Sequence, residues 1–276
     1  MALVPFPNQE LEPVPDDDFD EDAGGEEEGG KMSFLEHLDE LRRRIIWSLA
    51  SLAIGLIPAL IFINQIFAFV LRPMQEMLPN GQKLIYTEPS EAFILQIQIA
   101  LIAAAIVAAP LIFLQVWLFV APGLYSHEKK WAVPFIAMTT FFFVTGAAFS
   151  HYVVFPIVWK FFLSQATDYL TFMPRIEPAF SMYLRLVLAL GVTFELPTVV
   201  LILARIGLIT PGFMIRYFKF AVLLIVIAAA VLSPDGGGVG MVAMGAPVVL
   251  LYIFSIGLAW LFGKKRKTQA EVDAEA

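Results

Sequence analysis

The acidic residues of this chain fall into two settings that could carry chemistry, and the first is a lone acid in an apolar segment. Glu195 lies inside a long hydrophobic run, about ten residues before the predicted end of that run. An ionisable group at such a depth in a membrane costs at least about 2.5 kcal/mol and is a candidate for binding a proton or a polar group. The simpler interpretation is a protonated acid that bonds to the backbone or to a neighbouring span.

The second setting is a pair of acids on a predicted helix that begins at Ser33. Glu36 and Glu40 stand one helical turn apart, and like charges at this spacing destabilise a helix by about 0.2 to 0.5 kcal/mol. In a structural interpretation, Glu36 forms a capping box with Ser33 and Glu40 pairs with Arg44. In a functional interpretation, the two carboxylates bind a guanidinium group from another molecule. Sequence periodicity favours the structural interpretation.

Two further acids lie in predicted turns. Glu128 precedes Lys129 and Lys130 in a short connection, where the ordinary expectation is a solvated acid beside two lysines that determine topology. Asp235 lies in the run SPDGGG at 233–238, whose residue types are those of a tight turn. This run is not a phosphate-binding loop, since no Gly-Lys-Ser/Thr follows it.

The sequence shows no constellation typical of an enzyme. His37, His127 and His151 lack the spacing of metal ligands, and the chain contains no cysteine. An intramembrane enzyme would need a convergent nucleophile and base, and no such pair is evident. The sequence therefore predicts neither catalytic activity nor a cofactor.

The composition indicates that these acids belong to a membrane protein. The chain of 276 residues is 59% hydrophobic and 16% charged, with a mean hydropathy of +0.76, against about 45 to 50% and about 25% in soluble domains. Eleven acids and no base lie in 1–30, and the rest of the chain carries 18 bases against 14 acids. We expect a disordered acidic tail over 1–30, a membrane domain over 31–263 and a basic then acidic tail over 264–276. Nucleic-acid binding is disfavoured.

Six membrane spans are predicted, because about 20 apolar residues are needed to cross a bilayer. The apolar runs cover 45–67, 91–119, 131–162, 179–204, 218–232 and 239–262. Prolines inside most of these runs predict bent helices that form a concave bundle. The predicted positions of bending are Pro58, Pro110, Pro134, Pro156, Pro197 and Pro247.

The last two spans are predicted to be unusual. The fifth has about 15 residues, or about 22 Å of helix, which implies a thinned bilayer or entry of water at that place. Near the start of the sixth run, Gly240, Gly245 and Pro247 predict that the regular helix is shorter than the run itself.

The distribution of Lys and Arg predicts the orientation. Thirteen of these residues flank the spans on the side of the amino terminus, and four flank the other side. By the positive-inside rule, both termini are cytoplasmic. Arg185 falls inside the fourth span, and we expect it to reach the outer interface as an anchor.

Ordered segments across residues 33–262 are similar to the TatC family of twin-arginine translocase subunits. The helix with Glu40 carries FLEHLDELRRR at 34–44, and Glu128 ends the run APGLYSHE at 121–128. The other matching segments are AP at 109–110, QVW at 115–117, YVVFP at 152–156, FELP at 194–197 and PD at 234–235. Such a collinear set is more specific than any single motif.

The resemblance implies an all-α protein with six spans in the bacterial cytoplasmic (inner) membrane. A member of this family is a receptor for signal peptides that bear consecutive arginines. It passes folded proteins across the bilayer together with small single-span partners of the TatA and TatB type. Whether copies of this chain also form a homo-oligomer stays open.

The family's functional positions match particular residues of this sequence. Its signal-binding acids fall on Glu40 and Glu128, and its buried acid falls on Glu195. A guanidinium pairs with a carboxylate in a fixed bidentate geometry that lysine cannot reproduce, so two acids could read two arginines. The remaining predicted site residues are Glu36 and Arg42 for the signal peptide, and Pro73, Phe119 and Asp235 with less defined roles.

The main alternative is an ion-coupled secondary transporter. In such a protein Glu195 would be the proton site. Glu40 and Glu128 would then be irrelevant to the binding of a peptide.

Overall fold

A computed structural model of the protein describes residues 34–120, 132–167, 169, 171–233 and 238–263. Several predictions concern residues outside these ranges, among them the two predicted tails and the capping box at Ser33. Glu128 and Asp235 also lie outside the described residues. Their predicted roles therefore stay predictions.

The described residues form ten α-helices joined by short connections. Five helical segments are long and apolar enough to cross a membrane, and Phe218–Leu232 is a shorter apolar helix. Large apolar side chains such as Ile57, Leu224 and Trp260 are exposed along them, as a surface in contact with lipid requires. The helices are α1 (Phe34–Ile61), α2 (Ile63–Glu76), α3 (Glu91–Val120), α4 (Ala132–Phe149), α5 (Phe155–Leu163), α6 (Ile176–Thr193), α7 (Leu196–Arg205), α8 (Pro211–Arg216), α9 (Phe218–Leu232) and α10 (Gly238–Phe262).

The first span differs from its predicted bounds of 45–67. The helix predicted to begin at Ser33 and the first span form one helix of 28 residues, α1, which ends at Ile61. The chain then enters α2, which buries Val70, Leu71 and Met74 against its neighbours. Because α2 is amphipathic and packs on α3 and α5, the apolar residues up to position 67 belong to a separate helix and not to the span.

Two of the predicted proline bends are true interruptions. A π-helical turn, Ser150–Val154, separates α4 from α5 directly before Pro156. Phe194 and Glu195 separate α6 from α7 directly before Pro197. A proline has no N–H to donate to the preceding turn, which weakens the helix in front of it, and at these two positions the regular winding is interrupted. The helices continue through Pro58, Pro110 and Pro247, and Pro134 lies in the first turn of α4.

The last two spans bear out one expectation and overturn another. Helix α9 has 15 residues, as predicted for a short fifth span. Helix α10 is continuous over 25 residues and includes Gly240, Gly245 and Pro247, so its regular part is not shortened. A Cβ at Gly245 would contact the Ala229 Cβ at 3.5 Å. Small residues there allow α9 and α10 to pack closely, and they do not end the helix.

The spans pack as an open row. Helix α1 packs on α3, α3 on α4, α4 on α6, α7 on α10, and α10 on α9. Within the described residues, neither α9 nor α10 packs extensively against α1. Gly55 lets α1 approach α3 closely, since a Cβ at this position would lie 2.7 Å from the Ala104 carbonyl oxygen. Helices α1 and α9 are therefore the two ends of the row.

Contacts between helix ends define two faces of the protein. At the amino-terminal face, the start of α1 meets the end of α3, and the end of α3 meets the start of α4. At the opposite face, the Ile176 N–H donates to the Ile85 carbonyl at 2.8 Å and the Ile85 N–H donates to the Pro174 carbonyl at 3.1 Å. These bonds tie the connection before α3 to the connection before α6.

Candidate functional site

The start of α1 and the end of α3 form a junction at the amino-terminal face. The His37 imidazole stacks on the Phe119 ring with centroids 4.5 Å apart. Two turns further along α1, Arg44 Nη1 donates to Gln115 Oε1 at 3.4 Å. Phe119, which the family resemblance singles out, therefore lies beside the turns of α1 that carry the predicted signal-binding acids.

Glu40 is the acid that lies at this junction. Arg44 Nε donates to Glu40 Oε1 at 2.7 Å, and Arg44 Nη2 contacts the same oxygen. The two side chains are only 17% and 21% exposed. The predicted pairing of Glu40 with Arg44 is thus confirmed. Within the described residues, Glu40 Oε2 accepts no hydrogen bond, so the carboxylate can take a second donor.

Glu36 and Arg42 are exposed on the same part of α1. Glu36 precedes Glu40 by one turn, so the two carboxylates lie on one stripe of the helix. Arg44 neutralises Glu40, which limits the repulsion between the two acids. The first turns of α1 therefore present a partly neutralised acidic stripe next to the α1–α3 junction.

The connection that carries Glu128 starts and ends at the same face. Helix α3 ends at Val120 and α4 begins at Ala132. The rings of Trp117 and Phe135, close to these ends, lie 4.7 Å apart. The connection therefore leaves and rejoins the described structure beside the α1–α3 junction.

Glu195 occupies the interruption between α6 and α7 and is half-buried. Its Oε1 is buried without a hydrogen-bond partner among the described residues, and so is the Thr198 hydroxyl. The predicted bond from this acid to the backbone or a neighbouring span is therefore not formed by Oε1. A buried unsatisfied polar atom costs about 1 to 3 kcal/mol. This cost makes Glu195 a candidate for binding a polar group of another molecule.

Close packing of α4 fixes the position of this interruption. A Cβ at Gly146 would lie 2.7 Å from the Leu190 carbonyl oxygen and 2.8 Å from the Phe194 Cβ. Only glycine therefore lets α4 come so near to the end of α6. The rings of Phe149 and Phe194 also lie 5.6 Å apart, which holds the residue before Glu195 against α4.

Pro73 lies far from the acids of α1, at the opposite face. It is half-buried in α2, next to Met74, whose carbonyl accepts a hydrogen bond from Trp159 Nε1 at 3.2 Å. The described site residues are therefore divided between three places. Glu36, Glu40, Arg42 and Phe119 lie at the amino-terminal face, Glu195 lies within a span, and Pro73 lies at the opposite face.

An ion pair at the opposite face is not predictable from the sequence. Arg175 Nη2 lies 2.6 Å from Glu91 Oε1, and the Glu91 side chain is only 6% exposed. The Thr87 N–H and hydroxyl also donate to this carboxylate, at 3.2 and 3.1 Å. The hydrogen bond to Glu91 raises the pKa of the Arg175 guanidinium above its usual value. No local pattern joins two residues that are 84 positions apart.

The fold and these sites define a class of protein. Six apolar helical segments, an ion-paired acid at one face and an acid with one buried unpaired oxygen inside a span are the features of a polytopic helical membrane protein.

Comparison with known proteins then places the chain in a family. A family model described as Sec-independent protein translocase protein (TatC) matches residues 36–247. The TatC protein of Koribacter versatilis is 38% identical over 248 residues, which cover 89% of this chain and 91% of the relative. That of Aquifex aeolicus is 34% identical over 242 residues, which cover 86% and 98%.

Solved structures agree with the sequence relatives. A crystal structure of the twin arginine translocase receptor TatC matches with a TM-score of 0.71 at 34% identity, over 82% of this chain and 99% of that chain. A second one, in DDM, matches with a TM-score of 0.73 at 33% identity, over 81% and 99%. This chain belongs to the TatC family of Sec-independent protein translocase proteins. The predicted resemblance is confirmed, and the alternative of an ion-coupled transporter is not supported.

Proposed function

We propose that this protein receives twin-arginine signal peptides and forms the core of a translocase that carries folded proteins across the bacterial cytoplasmic membrane. Its relatives are Sec-independent translocase proteins, and the matching crystal structures are of a twin arginine translocase receptor. The observation that carries the proposal is the Glu40 carboxylate, which already holds one guanidinium and does so through a single oxygen.

The geometry at Glu40 suits a second guanidinium. Arg44 approaches Oε1 from within the same helix, so an arginine of the peptide can bind Oε2 without displacing it. A planar guanidinium offers several N–H donors in one plane, whereas a lysine ammonium offers a point charge with rotating donors. Because Glu40 is largely shielded from water, the charge-assisted hydrogen bond to the peptide is stronger than at an open surface.

Glu128 supplies the second acid in this proposal. The connection that carries it begins and ends at the same face as Glu40, at Val120 and Ala132. Two acids from separate parts of the chain can each bind one arginine of a consecutive pair. Glu36 and Arg42 flank Glu40 and bind polar groups of the peptide next to the arginines.

The proposed orientation puts this site in the cytoplasm. Thirteen Lys and Arg residues flank the spans at the amino-terminal face against four at the opposite face, which favours cytoplasmic termini. A signal peptide still attached to its folded protein would then reach Glu40 from the cytoplasm.

Glu195 is proposed to bind a single-span partner of the TatA or TatB type. Its buried Oε1 lacks a hydrogen-bond partner in the described part of the chain. A polar side chain of a partner helix would satisfy that oxygen inside the membrane, where polar groups bind one another. Pro73, Phe119 and Asp235 are proposed to support the shape of the two faces.

Photocrosslinking tests the proposed receptor. A twin-arginine peptide with a photoreactive group should crosslink to residues 34–44 and 121–130 of the full chain. Glu40→Ala and Glu128→Ala should each abolish these crosslinks, because each removes the carboxylate that binds one arginine. Glu76→Ala is the control, since Glu76 forms an exposed ion pair with Arg72 at the same helical spacing. Crosslinks that persist in the Glu40→Ala variant and in the Glu128→Ala variant would refute the proposed site.

A further inference from the structure

Arg185 is a cation inside the fourth span that the proposed function does not use. It lies nine residues after the start of α6 at Ile176, or about 13.5 Å along the helix. Its side chain is exposed, and no carboxylate in the described part of the chain forms an ion pair with it. A charged side chain within a span faces a partner or a water-filled space and marks a candidate binding site.

Arg185 lines a pocket of about 500 Å³ between α5, α6 and the connection before α6. One side of the pocket is a single face of α6, with residues at spacings of three and four. The lining continues from Arg175 to Arg185, ten residues or about 15 Å of chain at helical rise. The α6 residues of this face are Pro178, Ser181, Met182 and Arg185.

The positive charge of Arg185 is not compensated by a described acid of the pocket. Arg175 is held by Glu91 at 2.6 Å. Glu177, the acid of the lining, accepts a hydrogen bond from the Ser181 hydroxyl at 3.4 Å. The Arg185 guanidinium is thus the cation of the lining whose charge no described acid neutralises. The end of the pocket at Arg185 therefore suits an anion.

The other walls suit a lipid. Trp159, Phe162 and Phe172 contribute aromatic rings. Trp is enriched where a membrane meets water, and the two Phe rings add apolar surface. An arginine inside a span extends its guanidinium toward the headgroup layer while its methylene stem stays in apolar surroundings. A guanidinium also matches the geometry of phosphate oxygens.

We propose that this pocket binds the phosphate group of an anionic phospholipid from the leaflet at the opposite face, with Arg185 as the residue that contacts the phosphate. Arg185 donates two N–H groups to phosphate oxygens. The aromatic walls contact the glycerol and the first carbons of the acyl chains. The site is independent of the peptide-binding acids of α1.

Lipid titration of the purified full chain tests this site. Binding of phosphatidylglycerol is measured by native mass spectrometry for the wild type, Arg185→Gln and Lys160→Gln. Loss of one basic contact to an anionic lipid should weaken binding about fivefold in Arg185→Gln. Lys160 is an exposed base of α5 next to Trp159, and it does not line the pocket. The Lys160→Gln variant should therefore bind phosphatidylglycerol like the wild type. Equal affinities of the wild type and Arg185→Gln would overturn the proposal.

A second variant and two further experiments, a competition and a crosslinking, identify the ligand. Arg185→Lys keeps the charge and loses the planar fork, so it should lose less affinity than Arg185→Gln. Inorganic phosphate should not displace phosphatidylglycerol from the wild type; displacement at equal concentration would assign the site to free phosphate. A photoreactive residue in place of Met182 should yield an adduct with the mass of a phospholipid. A protein adduct at that position would assign the pocket to a partner protein and overturn the lipid.

Discussion

Replacing Glu40 by glutamine should weaken the binding of a twin-arginine peptide by about 10- to 150-fold. This range corresponds to the roughly 1.5 to 3 kcal/mol that a hydrogen bond to a charged group contributes. The cost to folding should be smaller, because a helical ion pair at this spacing contributes about 0.3 to 0.5 kcal/mol. Glutamine keeps the shape of the side chain and can still accept a hydrogen bond from Arg44. The substitution therefore removes mainly the charge that binds the peptide.

Fluorescence anisotropy with a labelled peptide measures this effect. The purified full chain is titrated with a peptide containing Arg-Arg and with a matched peptide containing Lys-Lys. The wild type should prefer Arg-Arg by more than about tenfold, because a guanidinium presents several N–H donors in one plane to Oε2 of Glu40, whereas an ammonium is a point charge with rotating donors. In Glu40→Gln the affinity for Arg-Arg should fall and the preference should shrink.

The matched control is Glu76→Gln. Glu76 pairs with Arg72 at 2.6 Å and at the same helical spacing, but at the opposite face and with both side chains more than half exposed. It should leave the affinity for both peptides unchanged. Wild-type affinity in Glu40→Gln, or equal affinities of the wild type for the two peptides, would refute the reasoning about a guanidinium at Glu40.

Three further predictions concern other parts of the protein. Glu195→Ala should keep peptide affinity and reduce crosslinking to single-span partners, because the unsatisfied acid is lost; unchanged partner crosslinking would contradict this. Gly55→Val should lower the thermal unfolding temperature, since a Cβ there lies 2.7 Å from a carbonyl oxygen of α3 and overpacking costs about 1 to 3 kcal/mol; Gly257→Val, which has open space, is the control. Glu91→Gln should also lower that temperature, and adding Arg175→Gln should lower it little further, because the two residues form one network; additive losses would show that they act separately.

Local patterns predicted much of the fold and part of the site. The run of apolar residues placed the short α9 correctly, and Pro156 and Pro197 marked real interruptions of their spans. The pairing of Glu40 with Arg44 follows from a spacing of one helical turn. Each of these features depends on residues close together in the chain, where periodicity and proline chemistry decide the structure.

Features that depend on distant residues were not predictable. Gln115 contacts Arg44 across 71 positions, and the sequence alone does not show which turn of α3 meets α1. The end of α1 at Ile61 was also missed, because Phe62, Ile63, Ile66 and Phe67 extend the apolar run on both sides of Asn64 and Gln65. Their place in α2 depends on its packing against α3 and α5. Tertiary contacts, and not hydropathy, set that boundary.

The π-turn at Ser150–Val154 makes the orientation of α5 sensitive to the number of residues in the turn. A π-turn holds one residue more than an α-turn, which rotates the following helix by about 100°. With that rotation, Phe155, Val158 and Trp159 of α5 are buried, and His151 Nδ1 lies 2.9 Å from the Tyr183 hydroxyl. Deleting a single residue from the turn would restore ordinary winding and swing these three side chains toward the lipid. A one-residue deletion here would therefore rotate the whole last third of the span, and no substitution elsewhere in α5 could reverse that rotation.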